Sequence, residues 1–227
     1  MSSPSSTPLA SDSVHSRLRA EILEGRLQPG DPVPSERVLS EELGVNRHAV
    51  REALKRLQQA GLVRISQGGA TRVLDWRQSG GLEVLLDLMD AAGTPPPELI
   101  RSVLEMRESI GVDAAVKCAE RASPGARERT AELAEEAARA IESEGPTSAL
   151  ALGAFIALWL AIVDGSENVA YRLALNSLNA ALSVYVDLAG SLLPDEPDAL
   201  RKLGEALRRA DPEAAAAAAR HLLTISA

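Results

Sequence analysis

The chain has 227 residues, 45% of them apolar, which is enough for two small packed domains and excludes a globally disordered protein. Cys118 is the only cysteine, so an intrachain disulfide framework is excluded and a reducing cytoplasm is the expected setting. The net charge is −8, but it is unevenly distributed. Residues 1–74 carry ten basic and eight acidic residues (+2), whereas residues 75–227 carry fourteen basic and twenty-four acidic residues (−10). The N-terminal part is therefore basic and the rest of the chain acidic.

Residues 1–10 lack the basic start and apolar core of a signal peptide and are predicted to be a disordered tail. Apolar residues at helical spacing then predict helices over 12–25, 35–43 and 46–60. Glycine and proline in the turn 27–34 separate the first two helices, and Gly44 ends the second.

After the third helix the pattern changes to short β-branched segments. LVRIS (62–66) and TRVL (71–74) are predicted strands, and QGGA (67–70) is the turn of a hairpin. Short helices joined at Gly44 and followed by a hairpin are typical of a winged helix-turn-helix, which we predict for residues 11–74.

The third helix has the features of a DNA-reading helix. Arg47, Arg51 and Lys55 are spaced i, i+4, i+8 and share a face, which on its own is also compatible with an ordinary solvated helix surface. Arginine and asparagine can pair with guanine and adenine edges, and the first helical turn usually reaches the bases. The predicted DNA-binding residues are Arg37, Asn46, Arg47, His48, Arg51, Gln67, Gly68 and Arg72.

Residues 75–81 are predicted to be a linker, and residues 82–227 an all-helical domain for effector binding and dimerisation. Short breaks at glycine and proline predict helices over 82–92, 96–122, 125–143, 147–164, 167–192, 196–209 and 212–225. The longest apolar run, 149–163, has 15 residues, whereas a membrane span needs about 20, so we expect a buried helix and no membrane partner.

Residues 29–73, PGDPVPSERVLSEELGVNRHAVREALKRLQQAGLVRISQGGATRV, resemble the GntR family of bacterial repressors and activators. The resemblance implies a homodimer that binds palindromic double-stranded DNA, in a bacterial cytoplasm and with the nucleoid when DNA-bound. Arg37, Arg47 and Arg51 match the family's DNA-contacting arginines, and Gly68 matches the glycine at the wing tip.

The all-helical second domain resembles the FadR subfamily, whose helical bundle encloses an effector pocket. LDWRQSGGLEVL (74–85) and PPELIRSVLEMRESI (96–110) are similar to the linker and next helix of its fatty-acid-responsive members. That similarity implies a fatty acyl-CoA effector and target genes of fatty-acid metabolism. Another small carboxylate or an apolar metabolite is the alternative effector, and a DNA-binding protein without an effector is a remote third reading.

Most members of this class bind a metal through Asp, His and two later histidines, and here the first positions fall on Phe155 and Trp159 and a later one near Leu200. Since His221 is the only histidine of the second domain, we expect no metal and no cofactor.

An apolar helix with these aromatic side chains can instead line a pocket for an acyl chain, although a plain bundle core without a cavity is also compatible with it. The predicted effector-binding residues are Arg107, Phe155, Trp159, Tyr171, Tyr185 and Arg220. The sequence contains no phosphate-binding glycine loop, nucleophile motif or metal-ligand cluster, so we do not expect an enzyme.

Overall fold

A computed structural model describes residues 10–66, 68–82, 84, 88, 97–183 and 193–224. The chain divides into two compact units, Met1–Pro95 and Pro96–Ala227. The predicted fold class, a winged helix-turn-helix followed by an all-helical domain, is confirmed.

The first unit consists of the following elements within the described residues: helices α1 (Ala10–Leu23), α2 (Glu36–Leu43) and α3 (Arg47–Gln59), strands β1 (Val63–Arg64) and β2 (Arg72–Val73), and the short helix α4 (Trp76–Ser79). Its core is aliphatic, with Leu18, Leu39, Val50 and Leu57 all fully buried. Each such side chain contributes about 1.5–3 kcal/mol when removed from water, so α3 is held by one apolar face and leaves the other to solvent.

The strands are shorter than the predicted segments 62–66 and 71–74. β1 and β2 are antiparallel, with Val63 opposite Val73 and Arg64 opposite Arg72. The turn 27–34 pairs with the other edge of the second strand: the Val73 N–H donates to the Asp31 carbonyl at 3.0 Å. The second strand is therefore hydrogen-bonded on both edges, once to a segment distant in sequence.

The predicted linker 75–81 contains α4 and packs on the first unit. The Ser79 hydroxyl donates to the Gly61 carbonyl at 2.7 Å. Gly61 has φ +72°, and a Cβ added there would lie 2.2 Å from the Ser79 carbonyl oxygen, so a side chain is excluded. Trp76 and Val84 contact the core of the first unit. The predicted domain limits stay predictions.

The second unit is helical throughout its described residues: α5 (Pro97–Arg121), α6 (Pro124–Glu144), α7 (Ala149–Gly165), α8 (Val169–Ser183), α9 (Pro197–Arg208) and α10 (Pro212–Leu223). Serine side chains cap α6 and α7, and Asp211 caps α10, as the predicted breaks at Ser123, Gly145 and Asp211 require. Most of the predicted helix 82–92 and the end of the predicted helix 167–192 lie outside the described residues.

Helices α5 and α7 run in the same direction and touch through glycines. A Cβ on Gly111 would lie 3.3 Å from Trp159 Cζ3, and a Cβ on Gly165 would lie 2.6 Å from Cys118 Sγ. These close approaches bury α7, whose Leu158 and Ile162 are fully buried. Among the described residues, no helix combines the length and apolarity needed to cross a membrane.

Candidate DNA interface and effector site

The turn between α2 and α3 is fixed by local hydrogen bonds. The Ser35 hydroxyl accepts from the Val38 N–H at the start of α2, and Gly44 ends α2 with φ +64°. The Asn46 side-chain carbonyl accepts from the Ala49 N–H at 2.8 Å and caps α3. Asn46 therefore has a structural role in addition to its predicted base contact, since its Oδ1 caps the helix and its amide N–H groups remain available as donors.

The cationic face of α3 is exposed. Arg47, His48 and Arg51 all lie on the surface. Arg51 donates through Nε to Glu36 Oε2 at 2.8 Å, and Lys55 pairs with Glu52 at 2.9 Å. Arg47 makes no ion pair with the described part of the chain. Exposed pairs of this kind stabilise by only about 0–1 kcal/mol, so phosphate oxygens can displace the carboxylates.

Arg37 lies near the start of α2 and is similarly exposed. Its guanidinium pairs with Glu41 one turn later, at 2.9 Å. A helix-surface pair at i, i+4 is weak, so Arg37 can exchange this partner for a phosphate.

The wing contains Gly68 and Arg72 of the predicted site, whereas Gln67 lies outside the described residues. Gly68 has φ +72°, which lies in the left-handed region that glycine adopts without strain. This agrees with the predicted glycine turn of the hairpin. The Arg72 guanidinium donates to the Gly30 carbonyl at 2.7 Å, which fastens the wing to the turn before α2.

Arg64 is a candidate that sequence analysis missed. It is exposed and lies directly opposite Arg72 in the hairpin. Like charges directly opposite each other destabilise a sheet, and an anion such as a phosphate would relieve that repulsion. Only the strand register places Arg64 opposite Arg72, and the sequence did not determine that register.

The predicted effector residues fall into two groups. Phe155 and Trp159 lie in the core of the second unit, edge to face, with ring centroids 6.1 Å apart. The Arg107 guanidinium lies 5.8 Å from the Phe155 ring centroid. Burial lowers the pKa of Arg107 to about 10, so its charge persists at neutral pH in a mostly apolar setting.

Tyr171 and Arg220 lie elsewhere in the unit. The Tyr171 hydroxyl donates to Asp113 Oδ2 at 2.6 Å and lowers the pKa of that carboxyl group. Arg220 lines a groove of about 350 Å³ between α5 and α10, to which Asp113 also contributes. Tyr185 lies outside the described residues. Arg107, Phe155 and Trp159 therefore form the compact part of the predicted effector site.

The side chains at the family's metal positions do not fit a metal ion. Phe155, Trp159 and the fully buried Leu200 offer no ligand oxygen or imidazole nitrogen. His221 is exposed, with Nε2 2.9 Å from Glu196 Oε2. Within the described ranges, no three His, Cys, Asp or Glu side chains are grouped as a metal site would require.

A winged helix-turn-helix with an exposed cationic helix, joined to a helical domain, defines the class of ligand-responsive transcriptional regulators. Residues 10–73 match the family model of bacterial regulatory proteins of the gntR family, and residues 102–224 match the FCD domain. The chain belongs to the GntR family and carries an FCD effector-binding domain. The expectation of a regulator rather than an enzyme is confirmed by this membership.

Similar proteins include several regulators. The HTH-type transcriptional regulator Mce2R of Mycobacterium tuberculosis is 34% identical over 95% of this chain and 89% of its own length. An Escherichia coli protein named for regulation of the L-lactate dehydrogenase operon is 34% identical over 70% of this chain and 59% of its own. The fatty acid metabolism regulator protein of Shewanella halifaxensis is 37% identical over 39% of this chain and 37% of its own.

Among solved structures, Lar of Listeria monocytogenes superposes with a TM-score of 0.54 at 17% identity, over 97% of this chain and 95% of that chain. At this identity the likeness supports the fold alone.

Proposed function

We propose that the chain acts as a homodimeric GntR-type repressor that binds a palindromic operator and releases it when a fatty acyl-CoA binds the FCD domain. The observation that carries the DNA part is the exposed face of α3, where Arg47 is unpaired within the described residues and Arg51 is held only by a solvent-exposed ion pair. Two such helices in a dimer would read two half-sites about one helical turn of DNA apart.

Three observations support the acyl-CoA effector. The segments 74–85 and 96–110 resemble fatty-acid-responsive members of the FadR subfamily. The fatty acid metabolism regulator of Shewanella halifaxensis matches part of the chain. Helix α7 presents aromatic side chains where other members present metal ligands, and each methylene of an acyl chain buried against them would contribute about 0.8 kcal/mol.

A small carboxylate is the second candidate effector. It is favoured by the similarity to the Escherichia coli protein named for the L-lactate dehydrogenase operon. The apolar metal positions, Phe155 and Trp159, favour the acyl chain over a compact dicarboxylate, because a small polar ligand would have no metal to bind.

The test begins with selection of an operator from a random duplex library by the full-length protein. Fluorescence anisotropy then measures operator affinity alone, with dodecanoyl-CoA, with coenzyme A and with L-lactate. We expect tight, salt-sensitive binding that dodecanoyl-CoA weakens and coenzyme A leaves unchanged. Release by lactate alone would replace the acyl-CoA proposal with the second candidate, and failure to select any duplex would contradict the DNA part.

A further inference from the structure

The indole N–H of Trp159 is a buried donor that lacks an acceptor. The side chain is 6% exposed, and Nε1 has no hydrogen-bond partner among the residues that the structure describes. Buried polar groups in native proteins are hydrogen-bonded in the large majority of cases, so this exception requires a physical reason.

Packing fixes the direction of the indole. One edge of the ring lies over Gly111, where an added Cβ would be 3.3 Å from Cζ3, and Phe155 meets it edge to face. Gly111 of α5 and Phe155 thus both contact the ring, which leaves the N–H without a partner in the packed arrangement. A bound ligand can supply the acceptor that the described residues do not.

A buried positive charge lies in the same layer. Arg107 precedes Gly111 by one turn of α5, and its guanidinium lies 5.8 Å from the centroid of the Phe155 ring that also packs on Trp159. Arg107 and Trp159 thus place a guanidinium and an indole donor around one aromatic ring. An oxygen acceptor, charged or polar, is the complementary group, and a cationic head is excluded.

We propose that Trp159 and Arg107 form the polar end of the effector site and receive the head oxygen of an apolar chain. The thioester carbonyl of an acyl-CoA and the carboxylate of a free fatty acid share this chemistry. The inference rests on the proposed acyl effector and adds the atoms that recognise it: the indole N–H selects an acceptor, and the guanidinium favours negative charge on it.

The chain has two tryptophans, so the full-length Trp76→Phe variant reports Trp159 fluorescence alone. We expect its emission to shift with dodecanoyl-CoA and with dodecanoate, which carry an acceptor, and to stay unchanged with dodecyltrimethylammonium, which carries none. Whichever of dodecanoyl-CoA and dodecanoate binds more tightly shows whether the head oxygen belongs to a thioester or to a carboxylate. If the emission responds to neither dodecanoyl-CoA nor dodecanoate, the inference is overturned, and water alone is the partner of the indole N–H.

Trp159→Phe removes the N–H and keeps an aromatic ring, and Trp76→Phe is the matched control outside the site. Calorimetry should give a dissociation constant about tenfold higher in Trp159→Phe, as expected for one lost hydrogen bond to a strong acceptor, and unchanged in Trp76→Phe. Arg107→Gln should weaken dodecanoate more than dodecanoyl-CoA, and Arg107→Lys should restore part of the carboxylate affinity. Circular dichroism confirms that each variant is folded.

The two proposals fail in different ways. If Trp159→Phe binds the ligands as tightly as Trp76→Phe while dodecanoyl-CoA still releases the operator, the donor assignment is wrong and the acyl-CoA regulator stands. If neither oxygen ligand binds or releases the operator, the acyl effector and the donor assignment both fail, and operator binding remains as a separate result.

Discussion

Arg51 of the recognition helix α3 donates through Nε to Glu36 Oε2 at 2.8 Å, so a principal DNA-reading candidate is held by a carboxylate of its own domain. Glu36 is at the first position of α2, where a negative charge also favours the helix dipole. The ion pair orders the guanidinium before DNA arrives and must break, at least in part, when a phosphate or base replaces the carboxylate.

Glu36→Gln should therefore raise operator affinity by a few-fold, because it removes a competitor worth about 0–1 kcal/mol at an exposed site. Arg51→Ala should lower the affinity by at least about tenfold, corresponding to about 1–3 kcal/mol for a base-reading arginine. Anisotropy titrations with the selected operator measure both changes.

Glu24→Gln is the control, since it also removes one carboxylate from the first unit but frees Arg26, which is outside the predicted site. If Glu36→Gln and Glu24→Gln raise the operator affinity equally, the gain is a general effect of net charge, and Glu36 has no specific role.

The opposed arginines of the wing lead to a second prediction. Arg64→Ala and Arg72→Ala should each reduce the slope of log affinity against log salt by about 1, the contribution of one phosphate contact. Arg64→Ala should leave the melting temperature unchanged or slightly higher, because it relieves like-charge repulsion across the hairpin. Arg72→Ala should lower it, because the bond to the Gly30 carbonyl is lost. An unchanged salt slope in Arg64→Ala would exclude the wing contact.

Local chemistry made the helices of the first unit predictable, whereas contacts distant in sequence set the rest. Ser35, Gly44 and Asn46 act within one turn of their own helices, and their roles could be predicted from residue type. The pairing of the turn 27–34 with β2 is a contact distant in sequence that no local pattern encodes, and the Arg64–Arg72 register was not predicted either.

In the effector site, too, local composition was predictable and contacts distant in sequence were not. The apolar character of α7 was visible in its composition, and the burial of Phe155 and Trp159 follows from it. The association of Arg107 with this pair depends on the packing of α5 against α7, which a single sequence does not specify. Tyr171 was predicted to bind the effector, yet its hydroxyl is bonded to Asp113, a residue that no sequence pattern singled out.

His15 gives the first unit a built-in acid sensitivity. It is buried in α1, and burial, followed by the charges of Arg56 and Arg19, lowers its pKa from 6.5 to about 4. Above pH 6.5 the imidazole is neutral in both states. Between pH 6.5 and 4 only the unfolded chain takes up the proton, so the free energy of unfolding falls as the pH falls, by on the order of 2 kcal/mol between pH 7 and pH 5.

Calorimetric melting of full-length His15→Gln at pH 7 and pH 5 checks this effect. The variant should lose less stability between the two pH values than wild type does, whatever its stability at pH 7. His48→Gln replaces an exposed imidazole of the same unit and should retain the wild-type difference. A wild-type pH dependence in His15→Gln would show that carboxylate protonation alone causes the loss.

The contact between Gly165 and Cys118 predicts a strong steric effect in the second unit. A Cβ at Gly165 would lie 2.6 Å from Cys118 Sγ and 3.2 Å from Ala122 Cβ, so Gly165→Ala should destabilise the folded protein by about 1–3 kcal/mol despite the higher helix propensity of alanine. Gly125→Ala is the matched control, because nothing lies within 4 Å of its added methyl group.

Cys118→Ala removes the sulfur that the new methyl group would meet, at the cost of a small cavity. In a double-mutant cycle followed by urea unfolding, Gly165→Ala should therefore cost markedly less in the Cys118→Ala background than in wild type. Strict additivity would contradict the assignment of the clash to the Cys118 sulfur. Ala122, directly after the end of α5, would then be the next candidate, because its Cβ is the next nearest atom at 3.2 Å.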